Sequence, residues 1–254
     1  MAETVNIMKM AEKASAEIFS VFGWEQLPAT NQNTDCVDQK KHNRMKHKKH
    51  PTDAVWKYLD PYLAYDVYVY SDLKSYAKGT LDNADLAAIL RDVARGTECA
   101  NKSEDWKALY VDQKRTHQVV GMLFIYNHDG AYEKEFSDVL AALPPSSCDV
   151  APSDDIGVIG PERVIYLNSV AKDIKCQQAD GKLPTKENRY FFFPHLKRNM
   201  AVHQRSKAVP LPFLLYPLIV MGYEFPVDLQ RPDRRKGYYA LRRTIQQTPS
   251  MCLV

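Results

Sequence analysis

The chain has 254 residues, of which 45% are hydrophobic and 26% are charged, and its formal net charge is only +3. This is the composition of an ordinary globular protein, and it excludes general disorder. Five widely spaced cysteines without a CxxC pair indicate a reducing compartment rather than a disulfide framework. Neither an export signal nor an apolar run long enough to span a bilayer is visible, so we expect a soluble cytoplasmic protein without membrane contact.

Residues 4–22 carry apolar side chains at helical spacings, and Gly23 follows as a natural C-terminal stop. We therefore predict a helix over this range. Glu12 lies close to the core-facing stripe of the helix, and a glutamate directed inward needs a partner such as a metal or a lysine. Glu17 is the other acidic residue on the helix, and the pattern leaves open which of the two points inward.

A basic run from residue 40 to residue 50 holds six Lys or Arg residues and three His residues and no acidic residue. Six cations would bind phosphates and attract nucleic acid in a salt-sensitive way. The predicted nucleic-acid-binding residues are Lys40, Lys41, Arg44, Lys46, Lys48 and Lys49. A solvated, mobile loop is the alternative.

The same region contains a second metal hypothesis, in which Cys36, His42, His47 and His50 bind zinc. The spacing of these residues fits no standard zinc finger, and the lysines between them would repel a dication. We therefore do not assign zinc here.

Two segments rich in aromatic and β-branched residues follow the basic run. The first opens with Pro51-Thr52-Asp53, and the second covers residues 66–77, so both are predicted strands. Side chains alternate along a strand, which places Asp72 and Lys74 on one face, about 7 Å apart. The spacing suits a hairpin that brings Asp53 and Asp72 to the same end of a sheet. A surface ion pair on a half-exposed strand is the alternative interpretation.

The opposite face of the second strand carries Val67, Val69 and Leu73 and is the predicted core side. Three tyrosines share the face of Asp72, namely Tyr68, Tyr70 and Tyr76. They could contact sugars or stack on bases, although tyrosines at alternate strand positions are more often plain packing residues, which is our expectation.

The rest of the chain alternates between helical and strand patterns. An amphipathic helix is predicted at residues 82–95; strands are predicted at 118–126, 163–167 and 188–193, and helices at 131–143 and 169–178. Strands that alternate with helices imply an α/β sheet covered by helices. Further basic clusters near residues 197–207 and 231–243 suggest a positive groove, with solvated surface as the alternative.

The ordered set of a glutamate helix, Pro-Thr-Asp53, Asp72-Leu-Lys74 and a following amphipathic helix resembles the core of the PD-(D/E)XK nuclease superfamily. The resemblance covers residues 4–95. It implies an α/β protein with a restriction-endonuclease-like mixed central sheet flanked by helices. In that arrangement residues 1–100 are the nuclease core, and residues 101–254 are a C-terminal α/β extension of the same sheet with a basic C-terminal segment.

The resemblance also implies roles for individual residues. Asp53, Asp72 and Glu12 would hold Mg²⁺, for which Mn²⁺ would substitute, and Lys74 would orient the attacking water and stabilise charge. Mg²⁺ in proteins is usually held by one or two carboxylates together with substrate phosphate, which fits this set. Thr52 between Pro51 and Asp53 departs from the pattern, and Asp60 or Asp66 stays open as the true second carboxylate.

These features predict a metal-dependent nuclease that hydrolyses phosphodiester bonds in DNA, and the family suggests a role in defence against foreign DNA. The alternative is a non-catalytic nucleic-acid-binding or assembly subunit of a multi-protein complex. The expected partner is nucleic acid, with DNA favoured. A protein partner that supplies specificity or activation and a homodimer stay open, as do RNA as substrate, strandedness and cleavage from ends.

Overall fold

The structure is a computed structural model that describes residues 2–42, 49–61, 64–144, 156–192, 205–214, 219–223 and 237–241. Arg44, Lys46, His47 and Lys48 of the basic run lie outside these ranges, as does the basic stretch at 231–236. Among the helices in the described ranges, none is both long enough and apolar enough to cross a membrane.

The described strands and helices, in chain order, are as follows. The strands are β1 (Glu25–Gln26), β2 (Gln32–Asp35), β3 (Lys49–Thr52), β4 (Ala54–Leu59), β5 (Asp66–Tyr76), β6 (His117–Asn127), β7 (Ile156–Ile159), β8 (Arg189–Phe192), β9 (Arg205–Ser206), β10 (Ile219–Tyr223) and β11 (Gly237–Leu241). The α-helices are α1 (Ala2–Val21), α2 (Lys78–Asp82), α3 (Leu86–Lys102), α4 (Glu104–Tyr110), α5 (Phe136–Ala141), α6 (Pro161–Ala179) and α7 (Leu211–Leu214).

The central sheet has five strands in the order β1-β4-β5-β6-β7. The strands β5, β6 and β7 run parallel, whereas β4 and β1 run antiparallel to their neighbours. The parallel step from β5 to β6 requires a crossover, and α2, α3 and α4 provide it. This mixed sheet flanked by helices confirms the expected α/β, restriction-endonuclease-like architecture.

The central strand β5 is buried on both faces along its first half. On one face Val67 and Val69 join a core with Phe19 of α1 and residues of α6. On the other face Tyr68 and Tyr70 pack against Trp106 of α4. The two tyrosines are therefore packing residues, as expected. β5 becomes partly exposed from Asp72 onward, so the end of the tyrosine face that carries Asp72 and Lys74 is partly accessible to solvent.

Two predicted elements of the second half are corrected by the structure. Residues 163–167 are not a strand but the beginning of α6, in which Val164, Leu167 and Ile174 are buried at helical spacing. Pro161 stands at the start of this helix, where its fixed φ is favourable and its missing N–H is not needed. The helix predicted at 131–143 is shorter, because a turn around Asp129 occupies its first residues.

The segment after β9 is hydrogen-bonded to the end of α1. The Val209 amide donates to the carbonyl of Phe22 over 2.8 Å, and Trp24 Nε1 donates to the Val209 carbonyl over 2.6 Å. Gly23 between them has φ of +86°, and a side chain there would collide with the backbone of Lys207. The predicted stop of α1 at Gly23 is thus confirmed.

The strands after residue 180 form a separate four-stranded sheet with the order β11-β10-β8-β9. By contrast, β6 and β7 belong to the central sheet. The division of the chain at residue 100 stays a prediction.

Candidate active site

The end of the β4–β5 pair brings Asp53 beside Asp72. The register pairs Ala54 with Ser71, and the Asp53 amide donates to the Ser71 carbonyl over 3.2 Å. The Leu73 amide in turn donates to Asp53 Oδ2 over 2.7 Å. Asp53 is therefore held against the residues on either side of Asp72, and the predicted meeting of the two carboxylates at one end of the sheet is observed.

Lys74 forms an ion pair with Asp72, with 2.5 Å between its Nζ and Asp72 Oδ1. The Lys74 and Asp72 side chains are 33% and 16% exposed, so the pair is only partly accessible to solvent. Burial by itself would lower the pKa of Lys74, but the negative charges of Asp72 and Asp53 outweigh it and raise that pKa. The ammonium therefore stays charged at neutral pH. Tyr76 is half-buried beside it.

Burial and then the neighbouring charge of Asp72 raise the pKa of Asp53 from 3.8 to about 6. The Leu73 amide and Lys74 oppose this rise only in part. When both are ionised, Asp53 and Asp72 carry two negative charges, and Lys74 beside them offsets only one. Hard divalent cations prefer carboxylate oxygens, so the donor set fits such an ion.

Glu12 is linked to the backbone of Asp53 through Asn31, a residue that the motif pattern does not single out. Asn31 donates from its side-chain amide to Glu12 Oε1 over 3.1 Å and from its backbone amide to the Asp53 carbonyl over 2.9 Å. Glu12 is half-buried, whereas Glu17 is exposed, so Glu12 is the glutamate of α1 that is linked to Asp53. Asn31 has φ of +55°, a conformation that asparagine tolerates better than most residues, and the polar run around it was the only sequence signal.

The two alternative carboxylates lie at the other end of the β4–β5 pair. Asp66 opens β5 opposite Leu59 and forms ion pairs with Lys57 at 3.0 Å and Arg115 at 3.4 Å. Asp60 lies in the turn that joins these two strands. The structure therefore does not bring Asp60 or Asp66 to Asp53.

Three of the six predicted nucleic-acid-binding residues can be placed, namely Lys40, Lys41 and Lys49. All three are exposed, and Lys49 lies on β3, which leads directly into Asp53. Lys41 is also engaged by the protein itself, because its Nζ lies 2.6 Å from Glu98 Oε1.

A second group of metal-ligand side chains lies next to β3, and we call it the Cys/His cluster. It consists of Cys36, His42, His50 and Cys99, all buried, with one donor atom of each within 4.8 Å of every other. The zinc hypothesis drawn from the sequence contains Cys36, His42 and His50, and its fourth residue, His47, lies outside the described residues. Cys99 is absent from that hypothesis because it lies on α3, far along the chain.

Comparison with known families gives one match. The family described as the GAPS4 protein PD-(D/E)XK nuclease domain matches residues 1–163, a range that contains α1, all five strands of the central sheet and the site around Asp53. No curated protein and no solved structure matches the chain. PD-(D/E)XK nucleases generally use divalent metal ions, in agreement with the oxygen donors of Asp53 and Asp72. The chain therefore belongs to the GAPS4 PD-(D/E)XK nuclease domain family.

Proposed function

We propose that the protein is a Mg²⁺-dependent nuclease that hydrolyses phosphodiester bonds in DNA, and that Mn²⁺ substitutes for Mg²⁺. The proposal includes action in the cytoplasm, in defence against foreign DNA. The observation that carries it is the cluster of Asp53, Asp72 and Lys74 at the partly exposed end of the β4–β5 pair. The family match supports nuclease chemistry on independent grounds.

Each residue of the cluster has a separate task in the proposed reaction. Asp53 and Asp72 present carboxylate oxygens to Mg²⁺, and the raised pKa of Asp53 reflects the charge that such an ion neutralises. When bound, Mg²⁺ offsets negative charge on the phosphodiester and acidifies water. Asp72 holds the ammonium of Lys74 in position, where it can orient a water molecule and stabilise charge that develops on the phosphate.

Glu12 is the third carboxylate of this proposal, and it is linked to Asp53 through Asn31. Its carboxylate is fixed by the Asn31 side chain, and the backbone of Asn31 is fixed by Asp53. A carboxylate held in this way adds an acceptor for water or metal without taking the place of Asp53.

The exposed cations Lys40, Lys41 and Lys49, at the two ends of a basic run close to Asp53 in the chain, support a nucleic-acid substrate, and within this class we propose DNA. Lysine and arginine side chains that neutralise phosphates give sequence-independent attraction that weakens as salt rises. Binding should therefore be tight at low salt and decline steeply above physiological ionic strength.

The first experiment compares the unaltered protein with Lys74→Ala and with Lys57→Ala. Plasmid DNA, labelled single-stranded DNA and labelled RNA are incubated with Mg²⁺ or Mn²⁺. Lys57 is the matched control, since it also forms an ion pair with a carboxylate of β5, but at the opposite end of the strand pair. We expect metal-dependent cleavage of DNA that is lost in Lys74→Ala and kept in Lys57→Ala.

Undiminished cleavage by Lys74→Ala would refute the assigned site. Cleavage of RNA alone would refute the proposed substrate. If the unaltered protein cuts nothing but binds DNA in a chelator with the expected salt dependence, the protein is a binding subunit rather than a nuclease.

A further inference from the structure

The Cys/His cluster has the internal distances of a metal site. His42 Nδ1 lies 3.3 Å from Cys36 Sγ and 3.4 Å from Cys99 Sγ, and the two sulfurs lie 3.8 Å apart. A tetrahedral zinc ion, with bonds of about 2.3 Å to sulfur and about 2.0–2.1 Å to nitrogen, separates two sulfurs by about 3.8 Å. The same geometry separates sulfur from nitrogen by about 3.5 Å. The observed separations match both values closely.

His50 completes a set of four donors. Its ring is 1% exposed and stands 5.5 Å from the ring of His42, measured between centroids. Cys36, His42 and Cys99 are equally inaccessible, with exposed fractions of 5%, 2% and 1%. A closed set of two sulfurs and two imidazoles is typical of structural zinc, whereas catalytic zinc sites keep a position open to water.

Glu98 supplies the outer partner that metal-bound histidines usually have. Its Oε2 lies 3.0 Å from His42 Nε2, the ring nitrogen that faces away from the two sulfurs. This contact fixes the tautomer in which Nε2 carries the proton and Nδ1 offers its lone pair to the metal. Lys41 and Lys102 bind Glu98 as well, and together with His42 they lower the pKa of its carboxyl to about 2.

We propose that Cys36, His42, His50 and Cys99 bind one structural Zn²⁺ ion, in a site separate from the carboxylates Asp53 and Asp72. Binding releases the two thiol protons to solvent, so the zinc ion and its two thiolates are neutral together. Lys41 does not oppose the ion, because its ammonium binds Glu98 and the bound thiolates carry compensating negative charge.

The position of the site indicates what the zinc stabilises. Cys36 follows β2, His50 lies on β3, and Cys99 lies on α3, so the ion joins the β2–β3 hairpin to the helix behind the central sheet. His42 and His50 also fix both ends of the basic stretch between them. Since β3 continues into Asp53, the ion anchors the strand that positions a carboxylate of the proposed active site.

The test begins with the full-length unaltered protein, purified without chelator from cells grown with added zinc. Elemental analysis and native mass spectrometry should show one zinc per chain. After replacement of the zinc by Co²⁺, the absorption spectrum should show the strong visible bands of tetrahedral cobalt and a sulfur-to-cobalt charge-transfer band. Neither measurement depends on nuclease activity.

Single-residue substitutions test which side chains bind the zinc ion. Cys36→Ser and Cys99→Ser should each lose the zinc and the charge-transfer band. Cys176→Ser is the matched control, because this cysteine is exposed on α6 and away from the cluster, and it should keep one zinc. Asp72→Asn should keep it too, which separates this site from the carboxylates.

Glu98→Gln provides a gentler probe if the cysteine variants fail to fold. Glu98 is a positioning residue, and loss of such an outer partner typically weakens metal binding by about 10–100-fold. The variant should fold and still show the cobalt bands, with a dissociation constant for Zn²⁺ that is raised by this factor. An unchanged constant would contradict the proposed role of Glu98.

Three results would overturn the proposal itself. The first is an unaltered protein without zinc that also fails to bind added Zn²⁺ or Co²⁺. The second is a protein that holds iron rather than zinc. The third is a disulfide between Cys36 and Cys99, seen as a mass lower by two hydrogens and as resistance of both residues to alkylation until a reductant is added.

Discussion

The carboxylate site and the Cys/His cluster lie at opposite ends of the same short strand, yet they are built in opposite ways. Asp53 and Asp72 offer hard oxygen donors, lie next to a lysine and are partly open to solvent. The cluster offers sulfur and nitrogen donors, is fully buried and has no open side. The first arrangement suits an ion that must reach a substrate, and the second suits an ion that stays in place.

The strand β3 connects the two sites, because His50 of the Cys/His cluster lies on it and Asp53 follows directly after it. We expect the buried end of β3, at His50, to hold the other end in place next to Asp53. Burial, and then the charge of Asp72, raise the pKa of Asp53, so its ionised carboxylate favours unfolding, and a constraint nearby would offset that cost. The proposed zinc provides that constraint.

Removal of the zinc should have the largest effect on stability. Structural zinc contributes about 10–16 kcal/mol in small zinc-dependent folds. In this larger protein we expect at least about 5 kcal/mol, a fall in Tm of about 10–20 °C. Thermal unfolding before and after a strong zinc chelator measures it. Added Zn²⁺ should restore the Tm and added Mg²⁺ should not, and equal recovery with Mg²⁺ would contradict two distinct sites.

Asp72→Asn should have the largest effect on cleavage with little effect on the cluster. Loss of a group that stabilises charge in the transition state commonly lowers rates by about 10²–10³-fold, and loss of a metal ligand should cost at least that much. Rates of plasmid nicking measure it. Asp66→Asn is the control, because Asp66 is more deeply buried on the same strand and pairs with Lys57 and Arg115. Asp66→Asn should lower the free energy of unfolding but leave the rate of plasmid nicking unchanged.

Asp53→Asn should stabilise the metal-free protein while it abolishes cleavage. The folded pKa of Asp53 lies near 6, above the reference value of 3.8, so its ionised form destabilises the fold at neutral pH. At about 1.4 kcal/mol per pKa unit, the variant gains up to about 3 kcal/mol at pH 7. Denaturant unfolding at several pH values should show this gain shrink between pH 6 and pH 4. A gain that does not depend on pH would contradict this origin.

Gly96→Ala should have the smallest effect, and it tests the connection between the two sites. A side chain at Gly96 would collide with the hydroxyl of Tyr70, which donates to the Pro51 carbonyl over 2.5 Å. We expect a loss of about 1–2 kcal/mol, since overpacking exceeds the gain in helix propensity. Gly79→Ala is the control, because nothing lies within 4 Å of a side chain there. An unchanged free energy of unfolding in Gly96→Ala would show that Tyr70 can move aside at little cost.

Local patterns predicted the site strand and the N-terminal helix correctly. The β-branched and aromatic run gave β5, and the apolar spacing with Gly23 gave α1. The hairpin brought Asp53 to Asp72 because antiparallel neighbours are set by short connections. The prediction of a strand at 163–167 was wrong, because apolar spacing over only five residues does not distinguish a helix from a strand. The segment belongs to the same helix, α6, as the residues predicted to be helical at 169–178.

Contacts between residues far apart in the chain could not be predicted from the sequence. Cys99 joins Cys36 and His42, which precede it by 63 and 57 residues, and no local spacing encodes that meeting. Asn31 links Glu12 to Asp53 through one side-chain and one backbone hydrogen bond, a role that its own neighbours in the chain do not reveal.

The hydrogen bonds between Val209 and the end of α1 have a consequence for the timing of synthesis. Val209, the hydrogen-bond partner of Trp24, is synthesised 185 residues later, after roughly 10–40 s at usual translation rates. Until then, Phe19 can already pack on Trp56 and Phe124, but the end of α1 lacks its hydrogen bonds with Val209. A growing chain in which all of residues 1–163 have already emerged therefore still lacks these hydrogen bonds, and we expect the helix that carries Glu12 to reach its full stability only after the late segment has docked.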